Sequence, residues 1–324
     1  MTSLPVKKHL LGLKRIKNRE ESRLSYLRLD KNENIIGFDK DIIEVFKNQI
    51  TSDFLTAYPE VASLYKKAAA FLGCQEKNVF LTAGSDAGIK AVFEAFVEKG
   101  DSVAILHPTY AMYYVYADIF ESNLIKINYQ KDLSLTAEDV IGVIAQFKPK
   151  LVCLANPNAP TGTIIAPEGI KRIMDACSPQ KTIVLLDEAY YPFYPISSID
   201  FIHQYPNLVV TRTFSKAMGL ASARLGLAVG QEEIIECLHK VRPIYEANAF
   251  AVRFAEIILD NYGMVEKNLE KIKKGKEYLY RELDELKIPY YQSYANFVLI
   301  NVGSFEKSVE IGQALYGQGI LIKS

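Results

Sequence analysis

Short apolar runs alternate with helical patterns along the chain from about residue 60 onward. Seven runs rich in β-branched residues predict strands: VFLTAG (79–84), SVAILHP (102–108), LIKINY (124–129), LVCLANP (151–157), TIVLLDEAY (182–190), LVVTRTF (208–214) and LGLAVG (225–230). Continuous apolar runs are typical of strands buried on both faces of a sheet. Between them, segments 86–100 and 167–177 repeat apolar residues every three to four positions behind capping residues, which predicts helices. The pattern predicts an α/β fold with a mainly parallel, seven-stranded sheet between helices.

The pattern changes after about residue 240. Segment 251–286 predicts a long helix, and segment 290–302 predicts a strand that follows it. We therefore expect a large domain over residues 35–245 and a small α+β domain formed by residues 1–34 and 246–324.

Composition and charge exclude several classes of partner. The 324 residues include 38 Lys plus Arg and 38 Asp plus Glu, so no net field attracts nucleic acid or an anionic membrane. The four cysteines are isolated, and with only four histidines the chain lacks the spacing of metal ligands. The basic segment 1–20 has only short apolar runs, so we expect neither a signal peptide nor a membrane span. These features predict a cytoplasmic protein with a small-molecule partner.

A candidate anion site lies at TAGSDAG (82–88). Gly84 and Ser85 leave a predicted strand, and Asp86 stands where a helix begins. Free backbone N–H groups at a helix N-terminus bind anions, and the Ser85 hydroxyl adds a donor. An ordinary helix cap explains the same residues.

Two further strand ends carry polar residues that a packed core would not select. In LDEAYYPF (186–193), Asp187 ends an apolar run, so its carboxylate needs a cationic partner, either a bound cofactor ring or a core arginine. In TRTFSKAMGLASARLG (211–226), Lys216 is the only lysine, and a desolvated amine becomes nucleophilic. The alternative is a surface lysine.

The order of these motifs resembles a known family. An anion loop, an aromatic strand end, the Asn-Pro loop CLANPNAPTGT (153–163), Asp-x-x-Tyr and Ser-Lys with a downstream arginine occur together in the fold-type I, pyridoxal-phosphate-dependent aminotransferases of class I/II. The sequence is most similar to the histidinol-phosphate aminotransferase group and its phospho-amino-acid decarboxylase relatives. The resemblance extends from about Asn32 to Asn301.

The resemblance implies pyridoxal 5′-phosphate as cofactor and a role for each motif residue. Lys216 would form the Schiff base and move the proton, Asp187 would pair with the ring nitrogen, and Tyr190 would bond the ring O3′. Tyr110, in HPTYAMY, would stack on the ring face. The residues implied at the cofactor phosphate are Gly84, Ser85, Asp86, Thr213, Ser215 and Arg224.

Two more residues follow from the same resemblance. Tyr58 matches a tyrosine that reaches across a dimer interface to the partner's cofactor phosphate, which implies a homodimer with shared sites. Asn32, in DKNEN (30–34), matches the segment that closes over the substrate.

The chain also departs from the family pattern. Ala159 stands where the family has an asparagine that contacts O3′, so Tyr190 or a nearby asparagine, Asn156 or Asn158, is expected to compensate. Lys323 stands where an arginine for the substrate carboxylate is expected, in a small domain that is short at its C-terminal end.

The resulting expectation is an aminotransferase that uses an amino acid, with glutamate as the favoured donor, and a small, possibly phosphorylated, keto substrate. One alternative keeps the cofactor and decarboxylates a phospho-amino acid. Another is a non-catalytic protein that binds the cofactor or has a regulatory role.

Overall fold

The structure is a computed structural model that describes residues 5–13 and 22–324. The prediction for the basic segment 1–20 therefore lies largely outside the described residues. The helices are α1 (Lys40–Lys47), α2 (Ser52–Thr56), α3 (Ala62–Leu72), α4 (Ser85–Phe96), α5 (Ala111–Ile119), α6 (Ala137–Phe147), α7 (Pro167–Cys177), α8 (Glu232–Val241), α9 (Ala249–Asp260), α10 (Gly263–Glu285) and α11 (Phe305–Gly317). The strands are β1 (Leu27–Arg28), β2 (Val79–Thr82), β3 (Ser102–His107), β4 (Asn123–Asn128), β5 (Leu151–Ala155), β6 (Ile183–Asp187), β7 (Leu208–Thr213), β8 (Gly226–Val229), β9 (Tyr290–Tyr291), β10 (Leu299–Ile300) and β11 (Ile320–Leu321).

The seven predicted strands form one sheet in the order β2-β8-β7-β6-β5-β3-β4. Strand β8 runs antiparallel to both of its neighbours, and the other pairs are parallel. This confirms the mainly parallel sheet that the apolar runs predict. The parallel strands β5, β6 and β7 end at the same edge, where ligands of such sheets collect.

Side chains alternate between two cores on the two faces of the sheet. On β6, Val184 and Leu186 pack on the face covered by α3, α6, α7 and α9, whereas Leu185 packs on the face covered by α4, α5 and α8. The period of two along a strand places Asp187 on the same face as Leu185. Its neighbour Glu188 is directed to the opposite face.

Two elements after residue 250 differ from the prediction. The helix expected over 251–286 is two helices, α9 and α10, because α9 ends at its cap residue Asn261, whose backbone N–H bonds back to Ile257 and Ile258. The strand expected over 290–302 is an antiparallel pair, β9 with β10. The intervening backbone bonds elsewhere: the Tyr294 N–H donates to the Gly162 carbonyl at 2.8 Å.

The remaining strands pair away from the central sheet. Strand β1 lies parallel to β11, with Leu27 opposite Ile320, so two segments far apart in the sequence pair there. Helix α9 packs against α1 and α3, and its buried residues Ala251, Phe254 and Ile258 belong to the core of the central sheet. The domain boundary near residue 246 stays a prediction. None of the helices within 5–13 and 22–324 combines the length and the apolar character needed to cross a bilayer.

Gly226 provides a test of how tightly the sheet and α4 meet. A Cβ added at Gly226 would lie 2.3 Å from the Ser85 backbone nitrogen and 2.5 Å from the Gly84 carbonyl carbon. We expect Gly226→Ala to lower the free energy of unfolding by about 2–3 kcal/mol, because backbone at that distance cannot move aside without disturbing the sheet. Urea unfolding followed by circular dichroism measures the change.

Gly142→Ala is the matched control. Gly142 lies within α6, and a Cβ added there meets nothing within 4 Å. The same substitution at this position should stabilise the protein by ~0.5–1 kcal/mol, since alanine favours a helix over glycine. Equal unfolding midpoints for both variants would contradict the proposed close contact.

Candidate active site

A buried carboxylate stands at the end of β6. Asp187 is 4% exposed and accepts three hydrogen bonds, from the Tyr113 hydroxyl at 2.9 Å, the Thr211 hydroxyl at 3.0 Å and the Ala189 backbone N–H at 3.1 Å. Burial raises the pKa of Asp187 to about 6, and the bonds from Tyr113 and Thr211 oppose that rise. These bonds fix the orientation of the carboxylate, and all three donors are neutral groups.

The core arginine next to this site belongs to another acid. Arg212 bonds Glu188 through Nε at 3.1 Å and Nη2 at 2.9 Å, on the opposite face of the sheet from Asp187. The structure therefore favours the sequence interpretation in which Asp187 serves a bound cationic group. The alternative of a core arginine partner has no support among the described residues.

Tyr113 is a residue that the sequence motifs did not single out. It is fully buried in α5, and its ring meets the Tyr110 ring edge-on, with centroids 5.8 Å apart and planes at 90°. Tyr110 immediately precedes α5 and is 39% exposed. The sequence could have indicated Tyr113, because it lies three positions after Tyr110 and residues three apart on a helix share a face.

Lys216 follows β7 and reaches the same edge of the sheet. Its Nζ donates to the Lys31 carbonyl at 2.6 Å and lies 5.8 Å from the centroid of the Tyr190 ring. Burial lowers the pKa of Lys216 to about 8, although the negative charges of Glu33 and Asp187 oppose this shift. An amine with this pKa carries a useful uncharged fraction near neutrality, as the apolar setting in the sequence predicts.

The predicted anion loop forms a cradle of donors. Ser85 is the first residue of α4, and Gly84 before it has a φ of 84°, a conformation that glycine favours. A Cβ on Gly84 would lie 2.6 Å from Arg224 Nη2, so the guanidinium lies directly over this turn. Arg224 Nη1 also donates to the Ser215 hydroxyl at 3.3 Å, and the Ser215 N–H donates to the Thr213 hydroxyl at 3.1 Å.

Asp86 contributes an acceptor to the same region. Its Oδ1 is buried without a hydrogen-bond partner in the described part of the chain, and its negative charge raises the pKa of both Tyr110 and Asp187. A buried acceptor left unbonded is costly, so a donor from a bound molecule would be favourable here.

Tyr190 and Asn32 meet beside Lys216. The Asn32 Nδ2 donates to the Tyr190 hydroxyl at 2.9 Å. Burial raises the pKa of Tyr190 to about 12, so its hydroxyl keeps its proton and can donate it in a hydrogen bond. The structure thus brings together residues that lie more than 150 positions apart in the sequence.

The side chains of the two asparagines in the loop after β5 are hydrogen-bonded to other protein groups. Asn156 uses both ends of its amide on Ile165, donating to the carbonyl at 3.0 Å and accepting from the N–H at 2.8 Å. Asn158 bonds the Thr109 hydroxyl at 2.6 Å and the Pro108 carbonyl at 3.0 Å. A cofactor contact from Asn156 stays a prediction.

Tyr58 lies on the surface. It is 72% exposed, and its ring stacks on Tyr245 with centroids 4.2 Å apart and planes at 5°. Within the described residues, Tyr58 has no hydrogen bond or ring contact to the residues around Lys216, and its role in a partner's site stays a prediction.

The architecture is that of the fold-type I aminotransferases. The structure of histidinol-phosphate aminotransferase from Sinorhizobium meliloti in complex with pyridoxal-5′-phosphate matches with a TM-score of 0.84 at 24% identity, covering 91% of this chain and 82% of that one. A putative histidinol-phosphate aminotransferase from Erwinia carotovora atroseptica matches with a TM-score of 0.86 at 25% identity, covering 94% and 88%.

Sequence comparison defines the family. The family model described as aminotransferase class I and II matches residues 26–324. A histidinol-phosphate aminotransferase of Caldanaerobacter subterraneus subsp. tengcongensis is 34% identical, over 96% of this chain and 88% of that protein. Histidinol-phosphate aminotransferase 1 of Carboxydothermus hydrogenoformans is 33% identical, over 95% and 87%. The chain belongs to the class I and II aminotransferases.

Pyridoxal 5′-phosphate, the cofactor of this family, fits the residues present. The cradle formed by Ser85, Ser215 and Arg224 offers donors to a phosphate. Gly84 has no side chain, so nothing at that position comes between the turn and the Arg224 guanidinium. Asp187 provides a buried anion for a protonated ring nitrogen, and the Lys216 amine suits an aldehyde.

Tyr113→Phe tests the support of Asp187. Without the Tyr113 hydroxyl, the carboxylate loses one of the bonds that oppose its burial, so the pKa of Asp187 should rise further. A hydrogen bond to a charged group contributes about 1.5–3 kcal/mol, so we expect at least ~10-fold weaker binding of pyridoxal 5′-phosphate. Spectrophotometric titration of the cofactor-free protein measures this affinity.

Tyr114→Phe is the control for that variant. The Tyr114 hydroxyl lies 2.6 Å from His107 Nδ1. The substitution removes a tyrosine hydroxyl from the same helix as Tyr113→Phe does, but one that does not bond to Asp187. Its affinity should match that of the unmodified protein. Unchanged affinity in Tyr113→Phe would show that this bond does not support the site.

Proposed function

We propose that this aminotransferase exchanges an amino group between an amino acid, with glutamate as donor, and a small phosphorylated keto substrate. The observation that carries the proposal is the convergence of a weakly basic amine on Lys216, a buried carboxylate on Asp187 and an anion cradle under Arg224 at one edge of the sheet. The relatives that are 34% and 33% identical are named for a phosphate ester, histidinol phosphate, which supports the substrate class.

The chain's own groups divide the work. When bound, pyridoxal 5′-phosphate supplies an aldehyde and an electron-withdrawing ring. Asp187 would hold the protonated ring nitrogen, and the Tyr190 hydroxyl, which accepts from Asn32, would be left to donate to the ring oxygen. Lys216, with a pKa of about 8, would accept the proton from the substrate carbon that bears the amino group and deliver it to the cofactor carbon that supplied the aldehyde, as amino-group transfer requires.

Lys323 supports the binding of an anionic substrate. Its positive charge lowers the pKa of Lys216, although less than burial does. Arg23 and Arg28 both pair with Glu33, and Arg224 lies over the anion cradle. We therefore assign contact with a substrate carboxylate or phosphate to Lys323, and contact with the substrate to Asn32.

We also propose that the chain is cytoplasmic and forms a homodimer through an exposed apolar face. That face joins segments 54–58 and 244–250, because Phe54 contacts Phe250 and Tyr58 stacks on Tyr245. Its exposed side chains include Ile244 at 81%, Leu55 and Phe250. Contiguous exposed apolar surface of this kind marks an interface.

Ile244→Arg tests the dimer. A charge at the centre of an apolar interface is costly to desolvate, so the variant should sediment as a 36.5 kDa monomer where the unmodified protein sediments as a dimer. Analytical ultracentrifugation measures both. Leu286→Arg, at a residue 67% exposed beyond that face, is the control and should remain dimeric. A monomeric unmodified protein would overturn the proposed assembly.

The reaction is tested with the purified protein, pyridoxal 5′-phosphate, histidinol phosphate and 2-oxoglutarate. Formation of glutamate, lost in Lys216→Ala, is the expected result. In a parallel assay with a phosphorylated amino acid as substrate, release of carbon dioxide without a keto acid product would identify a decarboxylase. A bound cofactor with no reaction toward either histidinol phosphate or glutamate would identify a non-catalytic protein.

A further inference from the structure

The segment Asp30–Asn34 (DKNEN), called the strap below, covers the amine of Lys216. The Lys31 carbonyl accepts a hydrogen bond from Lys216 Nζ at 2.6 Å. Among the charged groups, Glu33 on the same segment has the largest effect on the pKa of that amine. A main-chain carbonyl can hold an amine only if the backbone on either side of it is held too. What holds the strap therefore determines where the amine lies.

Asn32 turns the strap by adopting a rare backbone conformation. Its φ is 54°, in the left-handed region that costs a non-glycine residue about 1–2 kcal/mol and that asparagine tolerates best after glycine. Two consecutive carbonyls then have different partners: that of Lys31 meets Lys216, and that of Asn32 meets the amide of Asn296 at 3.1 Å. The Asn32 side chain is held separately by the Tyr190 hydroxyl.

Asn296 is the contact on the other side of the strap. Because the strap presents a carbonyl oxygen, the amide NH₂ of Asn296 must be the donor in this bond. The Asn296 Oδ1 is buried without a partner within the described ranges, so the bond to Asn32 is the polar attachment of this side chain.

The segment that carries Asn296 is itself fixed at several points. Lys276, on α10, donates to the carbonyls of Ser293 at 2.7 Å and Ala295 at 3.0 Å. The Tyr294 N–H donates to the Gly162 carbonyl at 2.8 Å, and the Phe297 ring contacts the Tyr190 ring at a centroid distance of 5.2 Å. Asn296 is thus held in a defined position relative to both α10 and the loop after β5.

We propose that Asn32 and Asn296 are positioning residues that hold the Lys31 carbonyl against Lys216 and so keep the amine desolvated and aimed into the site. The inference deepens the proposed function, since it concerns the same lysine. Neither asparagine acts on the amine directly; both act through the backbone of the strap.

The charges around the amine determine the direction of the expected change. Glu33 and Asp187 raise the pKa of Lys216, Arg224 and Lys323 lower it, and burial lowers it more than any of these. Release of the strap admits water and moves Glu33 away. The loss of desolvation is the larger effect, so the pKa of Lys216 should rise from about 8 toward its ordinary value of 10.5.

The experiment measures the pH dependence of Lys216 labelling by a small amine-reactive reagent in the cofactor-free protein, with the labelled peptide quantified by mass spectrometry. We expect a midpoint near pH 8 in the unmodified protein and a midpoint about one pH unit higher in Asn296→Ala, a tenfold change in proton affinity. The midpoint is the readout because a released strap also exposes the amine, which changes the labelling rate at every pH.

Asn32→Gly provides a second variant. Glycine keeps the left-handed backbone without strain but removes the bond to Tyr190, so the midpoint should move in the same direction. Hydrogen exchange of the strap should accelerate in both variants, with unchanged far-UV circular dichroism. The control is Asn301→Ala, at an exposed position after β10 whose side chain accepts from the Gly303 N–H at 3.0 Å.

Midpoints and strap exchange that stay unchanged in both variants would overturn the inference. Because labelling needs neither cofactor nor turnover, this result is independent of the reaction assay. A protein that fails to transaminate but shows the shifted midpoint contradicts the proposed function alone, and an active enzyme with unshifted midpoints contradicts the positioning role alone.

Discussion

The site depends on the burial of the Asp187 carboxylate. An ionised carboxylate in an apolar interior is costly unless polar groups or an opposite charge compensate it. Tyr113, Thr211 and the Ala189 N–H provide that compensation in part, and the pKa of Asp187 remains raised, to about 6. A protonated ring nitrogen of the cofactor would supply the positive charge that these neutral groups lack.

The sheet makes this arrangement possible because adjacent parallel strands end together. Thr211 lies opposite Asp187 in the pairing of β7 with β6, so its hydroxyl reaches the carboxylate without any change of backbone course. One residue further along, Arg212 and Glu188 face the other side of the sheet, where they neutralise each other. Alternation along the strands thus separates a structural ion pair from a carboxylate that is free to meet a ligand.

The anion cradle lies at the antiparallel part of the sheet. Strand β8 lies between β2 and β7, which brings Gly226 against the first turn of α4 and places Arg224 over Gly84. The anion cradle and Lys216 are consequently held by neighbouring strands. The strap covers the Lys216 amine, and the segment around Asn296 holds the strap. The amine therefore contacts parts of the chain that are far apart in the sequence.

The sequence by itself determined the sheet and the identity of the chemical groups. Runs rich in β-branched residues are typical of strands covered on both faces of a sheet, so the seven strands could be predicted, and so could Asp187 and Lys216 as polar residues that follow such runs. It did not determine the break between α9 and α10 or the turn between β9 and β10, because local patterns carry no information on the distant groups, such as Gly162, that bond the backbone there. The tertiary structure alone decided that Tyr113 supports Asp187, that Asn156 holds its own loop, and that the Lys31 carbonyl holds Lys216. Each of these depends on which face or backbone group a residue meets after folding, and spacing along the chain does not specify that.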